Sequence, residues 1–271
     1  MSFQTVQKKE LVYLTSDILT GVAHGFSTRK GGVSPAPWDS LNLDDRRGDS
    51  SANVQENFRR LCTALDMDVQ RAVLSKQVHR DDVRLVTAQD AGKGLWQPQD
   101  YDSADALITN VPGLPLFVFS ADCGVILLHD PVHHAIGAVH AGWRGTVMGI
   151  VKKAVQAMTA HYGTVPADVQ AAIGPSIGQC CFETDGDVPA ALREALGNDA
   201  EAFMTWNGCK WHIDLKNVNR YWLQSAGVTQ IDLCSHCTRC LPELYWSHRR
   251  MGLQRGEQAA VISLPTKKEL L

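Results

Sequence analysis

Residues 116–163 read LFVFSADCGVILLHDPVHHAIGAVHAGWRGTVMGIVKKAVQAMTAHYG. Three apolar runs, 116–119, 125–128 and 135–139, are too short for helices and show no polar alternation, as strands buried on both faces do. The following stretch, 145–162, puts Val147, Ile150, Val151, Ala154 and Met158 on one face and stops at Gly163, which predicts a helix. Strands followed by a covering helix predict an α/β arrangement.

The same reading extends outward. Residues 53–67 predict a helix through Val54, Phe58, Leu61, Cys62 and Leu65. Residues 169–173 predict a strand ended by Gly174-Pro175. Asp214 is placed to cap a helix running through Val218, Tyr221 and Trp222 to Gly227. Late strands are predicted at 228–233 and 259–264, and the segments 85–112 and 174–186 read as loop-rich. With no internal repeat and no low-complexity linker, residues 1–271 read as one large α/β (α+β) domain.

A hydrophobic fraction of 44% with 20% charged residues is the balance of a globular chain with a full core. It excludes a disordered tail, a coiled coil and a collagen-like repeat. A net charge of −3 offers no basic excess for nucleic acid. The N-terminus has no apolar segment of the secretory kind, and no apolar run reaches the ~18 residues of a membrane span. The expectation is a cytoplasmic protein with no nucleic-acid or membrane partner. The 8 cysteines are then reduced thiols: core fillers, metal ligands or nucleophiles.

The reactive side chains cluster where strands end. Ser120-Ala121-Asp122-Cys123 follows one apolar run, and His140-Ala141-Gly142-Trp143-Arg144-Gly145 follows another. Strand ends are where α/β folds present chemistry above a rigid sheet. Gln77-Val78-His79 is a third such end. His79, Cys123 and His140 would form an N2S set that zinc accepts while keeping a fourth position open. Asp122 would stand beside the thiolate as a proton carrier. Taken singly, each has a simpler reading: Cys123 and His140 as core, His79 as surface.

Other clusters compete. Cys234-Ser235-His236-Cys237-Thr238-Arg239-Cys240 contains two C-x-x-C steps, but a structural zinc needs more ligands, for which Cys209, His212 or His248 come into question. Outside the trio, the other seven cysteines read as ordinary side chains. His129, His133 and His134 read as a surface turn. Thr28-Arg29-Lys30-Gly31-Gly32 and Ser247-His248-Arg249-Arg250 are compact cationic groups suited to an anion or to solvent. Neither is a phosphate loop, and G-x-G-x-x-G and G-x-S-x-G are absent.

Several phrases coincide in order: His24-Gly25-Phe26-Ser27-Thr28-Arg29-Lys30-Gly31-Gly32-Val33-Ser34, Ser40-Leu41-Asn42-Leu43, Gln77-Val78-His79, Ala121-Asp122-Cys123, the phrase running from Ala138 to Gly145, Ile173-Gly174-Pro175-Ser176-Ile177-Gly178 and Ser247-His248-Arg249-Arg250. Together they resemble the laccase-domain family, named variously multicopper polyphenol oxidase, purine nucleoside phosphorylase of the laccase-domain type and peptidoglycan editing factor. The resemblance implies one domain of mixed β-sheets flanked by helices, similar to toxin-type cysteine deamidases. It implies zinc on His79, Cys123 and His140, with copper as the alternative metal. It implies phosphorolysis of adenosine, inosine or methylthioadenosine, and adenosine deamination as an attributed activity. Catalytic roles fall to Cys123, Asp122 and His140, and contacts to nucleoside or phosphate to Arg29, Asn42, Gln77, Arg144 and Arg249. After Arg250 the chain departs from the family pattern, with Arg255 preceding Gly256 where a Gly-Arg pair is expected.

Chemistry weighs the activities. An open zinc position suits a deaminase or a phosphorylase, and arginines suit the phosphate. One cysteine and two histidines are a poor basis for a multicopper oxidase. Two rivals differ in kind: a metal-free hydrolase or amidase for peptidoglycan precursors, with Cys123 as nucleophile and His140 as base, and a binding protein with structural zinc on Cys234, Cys237 and Cys240.

Overall fold

In strand Leu116–Ser120, Leu116 and Val118 turn towards one core and Phe117 and Phe119 towards another, all of them buried. The next strand, Gly124–Asp130, does the same with Val125 and Leu127 against Ile126 and Leu128. Burial on both faces explains why these runs lack polar alternation. The computed structural model describes residues 3–266.

Two six-stranded sheets carry the fold. The first runs, in spatial order, Phe3–Lys8, Leu11–Ser16, Ala23–Ser27, Gln258–Ser263, Leu116–Ser120 and Val73–Leu74. The second runs Gln230–Leu233, Gln170–Ile173, Gly124–Asp130, Ala135–Ala141, Ala106–Thr109 and Val83–Leu85. Parallel and antiparallel pairs mix in both. The sheets face each other across a core that includes Phe26, Leu116, Val118, Leu127, Ile136 and Ile262.

Helices cover both outer faces, and on the second sheet Leu223 of helix Leu215–Ser225 packs beside the main covering helix. Helix Ile150–Tyr162 lays Ile150, Val151, Ala154, Val155 and Met158 on the second sheet. Helix Ser51–Ala64 lays Val54, Phe58, Leu61 and Cys62 on the first. Phe58 meets Phe117 and Phe119 edge-on at ring separations of 5.2 and 6.1 Å. Truncating such a buried aromatic costs about 3–5 kcal/mol. The result is a mixed α/β domain of four layers, helix on sheet on sheet on helix. A small three-stranded sheet and helices Asp187–Leu196 and Leu215–Ser225 form a side lobe around Leu192, Ile213 and Val218. No helix among the described residues is long and apolar enough to cross a membrane.

One local expectation needs correction. The helix expected over 145–162 is two helices, Trp143–Val147 and Ile150–Tyr162, because Gly149 adopts φ +72° between them. The loop-rich segment 85–112 also contains Ala106–Thr109, a strand buried along its whole length. The segment 174–186 holds the two-residue strand Glu183–Thr184. Asp214 does cap helix Leu215–Ser225, accepting from the Asn217 amide.

Candidate active site

The chain crosses from the first sheet to the second at Ala121-Asp122-Cys123, between strands Leu116–Ser120 and Gly124–Asp130. Asp122 takes φ +98° to make that turn, and the Cys123 carbonyl accepts from Ser120 Oγ at 2.6 Å. His140 lies near the end of the neighbouring strand Ala135–Ala141, opposite Val125. His79 reaches in from the loop after Val73–Leu74 with φ +60°. Left-handed backbone at two non-glycine residues costs on the order of 1–3 kcal/mol each and persists only where surroundings impose it.

The ligand atoms of His79, Cys123 and His140 lie within 4.8 Å of one another. The two imidazoles meet edge-on at 4.9 Å between centroids. Gly142 lies against all three. A Cβ there would stand 2.7 Å from His79 Nδ1 and 3.4 Å from both Cys123 Sγ and His140 Cε1. The three donors therefore border a space that a single added methyl would fill, and the set has the composition of a zinc site with an open position.

One residue that arranges this trio has no sequence signal. Asp105, fully buried, accepts from His140 Nδ1 at 2.8 Å. The same carboxylate accepts from the amides of Val78, His79 and Arg80 at 3.0, 3.1 and 3.2 Å. It thus shapes the His79 loop and leaves His140 Nε2 to face the Cys123 thiol. A carboxylate behind a ligating histidine is the usual way to fix tautomer and orientation. Burial alone would raise the Asp105 carboxyl, but the His140 ring and the loop amides outweigh it and hold it below its ordinary range. Burial would likewise raise the Cys123 thiol. The His140 and His79 rings beside it prevail and bring it down to about 6. For His140, burial would lower the pKa, but the Cys123 thiolate and Asp105 lift it to about 9.

Two adjoining clefts of about 300 and 290 Å³ share Arg47, His79, Ala121, Cys123 and Arg255. The first continues along Trp143, Ile177 and Phe182, an apolar wall. The second continues along Asp44, Gln77 and His140. Glu257 ties the two shared arginines together: its Oε1 is 3.0 Å from Arg255 Nη1 and 3.7 Å from Arg47 Nη2. Arg255 is buried and reaches the cleft despite its departure from the expected residue order. A larger cavity, about 660 Å³, lies between residues 8–11 and helix Ser51–Ala64, but its lining holds neither cysteine nor histidine.

The other sequence candidates divide. Arg249 lines the first cleft; its Nη1 donates to the Glu183 carbonyl at 2.9 Å. Gln77 lines the second, but its amide is used on strand Leu116–Ser120, accepting from Phe119 N at 2.6 Å and donating to Phe119 O at 3.0 Å. Asp122 lines the cleft, yet its carboxylate accepts from Thr238 Oγ1, Ser247 Oγ and the Arg249 amide at 2.6, 3.1 and 2.6 Å. So engaged, it anchors the wall rather than standing ready to carry a proton.

Three expected ligand contacts fall elsewhere. Arg29 lies outside both clefts; it stacks on Trp246 and donates to the Asp39 and Pro242 carbonyls, closing a loop. Asn42 is fully buried and spends its amide on Asp44, Asp49 and the Glu257 amide. Arg144 is exposed and stacks on Trp143 at 4.2 Å.

The late cysteine cluster also differs from expectation. Cys234 is buried in the core between the sheets. Cys237 and Cys240 instead gather with Cys180 and Cys181, which pairing by sequence proximity does not find.

A family model described as "Multi-copper polyphenol oxidoreductase laccase" matches residues 23–265. The Bacillus subtilis protein named purine nucleoside phosphorylase YlmD is 35% identical over 250 residues, covering 90% of this chain and 88% of that one. The Homo sapiens protein named purine nucleoside phosphorylase LACC1 is 34% identical over 265 residues; they are 94% of this chain but 59% of that protein, so the chain spans about three fifths of that relative. Among solved structures, YlmD from Geobacillus stearothermophilus superposes with a TM-score of 0.90 at 34% identity, over 97% of this chain and 99% of that one.

Proposed function

For a chain that belongs to the family described as multi-copper polyphenol oxidoreductase laccase, we propose the activity of a zinc-dependent purine nucleoside phosphorylase acting on adenosine, inosine or methylthioadenosine. The observation that carries this reading is the three-donor set opening onto a cleft lined by both arginines and apolar side chains. Relatives named purine nucleoside phosphorylase support it.

His79, Cys123 and His140 would hold the metal, and the Gly142 position leaves room for it. Bound there, zinc supplies a Lewis acid that steadies negative charge developing on an oxygen. Copper fits a lone His2Cys set as well. A multicopper centre does not fit: among the described residues only two groups gather three or more donors, and the second is four thiols.

The chain's own groups would divide the rest of the work. Arg47 and Arg255, held by Glu257, would bind phosphate and aim it at the sugar. Trp143, Ile177 and Phe182 would take the purine face. In phosphorolysis a phosphate oxygen forms a bond to the anomeric carbon while the bond from that carbon to the base nitrogen breaks. The base leaves with the electron pair and takes up a proton, for which His248 is a titratable side chain on the same cleft. Holding two reactants in one cleft removes much of the entropic part of the barrier.

The test is product identification after incubation with adenosine, with and without phosphate. Adenine and ribose 1-phosphate formed only with phosphate support the proposal. Inosine formed regardless of phosphate indicates a deaminase, and no turnover of adenosine, inosine or methylthioadenosine sinks the reading.

A second reading rests on one specific observation. Cys123, His140 and Asp105 are in series, with the thiol lowered and the imidazole raised, which is also the arrangement of a cysteine hydrolase. Cleavage of a peptidoglycan precursor amide that survives exhaustive chelation would favour it.

A further inference from the structure

Cys180 and Cys181 lie in the segment after strand Gln170–Ile173, and Cys237 and Cys240 in the segment after Gln230–Leu233. These two strands are parallel neighbours, so their following loops leave the sheet side by side. The four Sγ atoms lie within 4.8 Å of one another. Three of the separations are 3.7 Å (Cys180–Cys181), 3.8 Å (Cys180–Cys240) and 3.4 Å (Cys181–Cys240). A tetrahedron of sulfurs at the usual zinc–sulfur distance has edges of about 3.8 Å.

Two of the four sulfurs accept hydrogen bonds from neighbouring groups. The Gly178 amide donates to Cys237 Sγ at 3.2 Å, and Arg239 Nη1 donates to Cys181 Sγ at 3.4 Å. Lys216, buried nearby, is fixed by the carbonyls of Cys234 and His236 at 2.7 Å each. Four thiolates around a divalent ion leave a net charge of −2, which Arg239 and Lys216 are placed to offset. Cys180 and Cys240 are exposed while Cys181 and Cys237 are buried, so an ion would have a route in from solvent.

We propose that Cys180, Cys181, Cys237 and Cys240 form a second, structural zinc site of the closed four-thiolate type. It would clip together the two loops that build one wall of the cleft. Ile177 and Phe182 of the first loop line that cleft, and the Ile177 amide donates to the Asp122 carbonyl at 2.8 Å. Thr238 of the second loop holds the Asp122 carboxylate at 2.6 Å, one residue from Cys123. Four ligands leave no open position, so this ion would organise the wall and take no part in the reaction.

The test uses the full chain with Cys123→Ala, purified in zinc without added chelator, so that only the second site remains. The expected result is one zinc per chain, with four thiols shielded from a thiol reagent until a chelator is added. Cobalt in place of zinc should give the strong near-ultraviolet thiolate-to-metal absorption of a tetrahedral sulfur site. Cys240→Ser in that background should lose the metal, while Cys209→Ser, outside the group, should keep it. Zinc-free protein whose thiols react equally fast with and without chelator would overturn the proposal. So would a mass lower by two hydrogens, reporting a disulfide. Because stoichiometry and thiol shielding are read with all four ligands intact, a misfolded serine variant does not decide the matter.

Discussion

The two sulfur-bearing clusters differ in almost every respect that a metal would feel. His79, Cys123 and His140 come from three separate places in the fold, with left-handed backbone at His79 and beside Cys123, and they open onto a cleft. Cys180, Cys181, Cys237 and Cys240 come from two adjacent loops and gather at the surface, two of them exposed and two buried. The first set is held by the rigid sheets and by the buried Asp105 carboxylate. The second gathers the loops themselves.

The largest separation of the two should come from Gly142→Ala. The added methyl occupies the space among the three donors, so phosphorolysis should fall by on the order of 10³-fold or more. Zinc at the four-thiol group should remain. Loss of both ions, read by metal analysis, would break the distinction.

Acidity sharpens it next. In the metal-free trio His140 holds its proton up to about 9, and Cys123 is ionised above about 6. Zinc must displace that His140 proton, so affinity at the trio should rise about tenfold per pH unit between 6 and 9 and fall more steeply below 6. A competition titration in the Cys240→Ser protein reads the trio alone. A flat profile over that range would show that the imidazolium–thiolate pair does not form.

Asp105→Asn keeps the shape but weakens the acceptor behind His140. The expected loss is about 10- to 100-fold in metal affinity at the trio. Unchanged affinity with a lowered Tm would reduce Asp105 to a loop support. A smaller effect is expected from Arg255→Lys, which keeps the charge but loses the planar fork. The KM for phosphate should rise about tenfold with kcat less affected. An effect confined to the nucleoside KM would move the anion site away from Arg255.

Six of the twelve strands in the two large sheets were legible, most of them as short apolar runs buried on both faces; Phe3–Lys8, Leu11–Ser16 and Ala23–Ser27 raised no such expectation, the first being largely exposed. Strand Ala106–Thr109 was not legible either, since three apolar residues and a threonine set among Ser103, Asp105 and Asn110 give no periodic signal. Asp105 was missed for a related reason. Its importance lies in three amides and a ring nitrogen brought to it from other segments, which a lone aspartate in sequence cannot display. Arg29 illustrates the converse. A cationic turn looks alike whether it meets a ligand or its own chain, and the Asp39 and Pro242 carbonyls decide the case. The Cys237–Cys240 pair was visible as a motif, but its partners Cys180 and Cys181 lie in another loop and meet it only because two strands run parallel.

The most direct measurement of the central claim is adenine release from adenosine and phosphate by the full chain, before chelation, after it and after zinc is returned. Activity should disappear with the metal at His79, Cys123 and His140 and return with zinc. Phosphorolysis that continues undiminished in protein shown to be free of metal would contradict it.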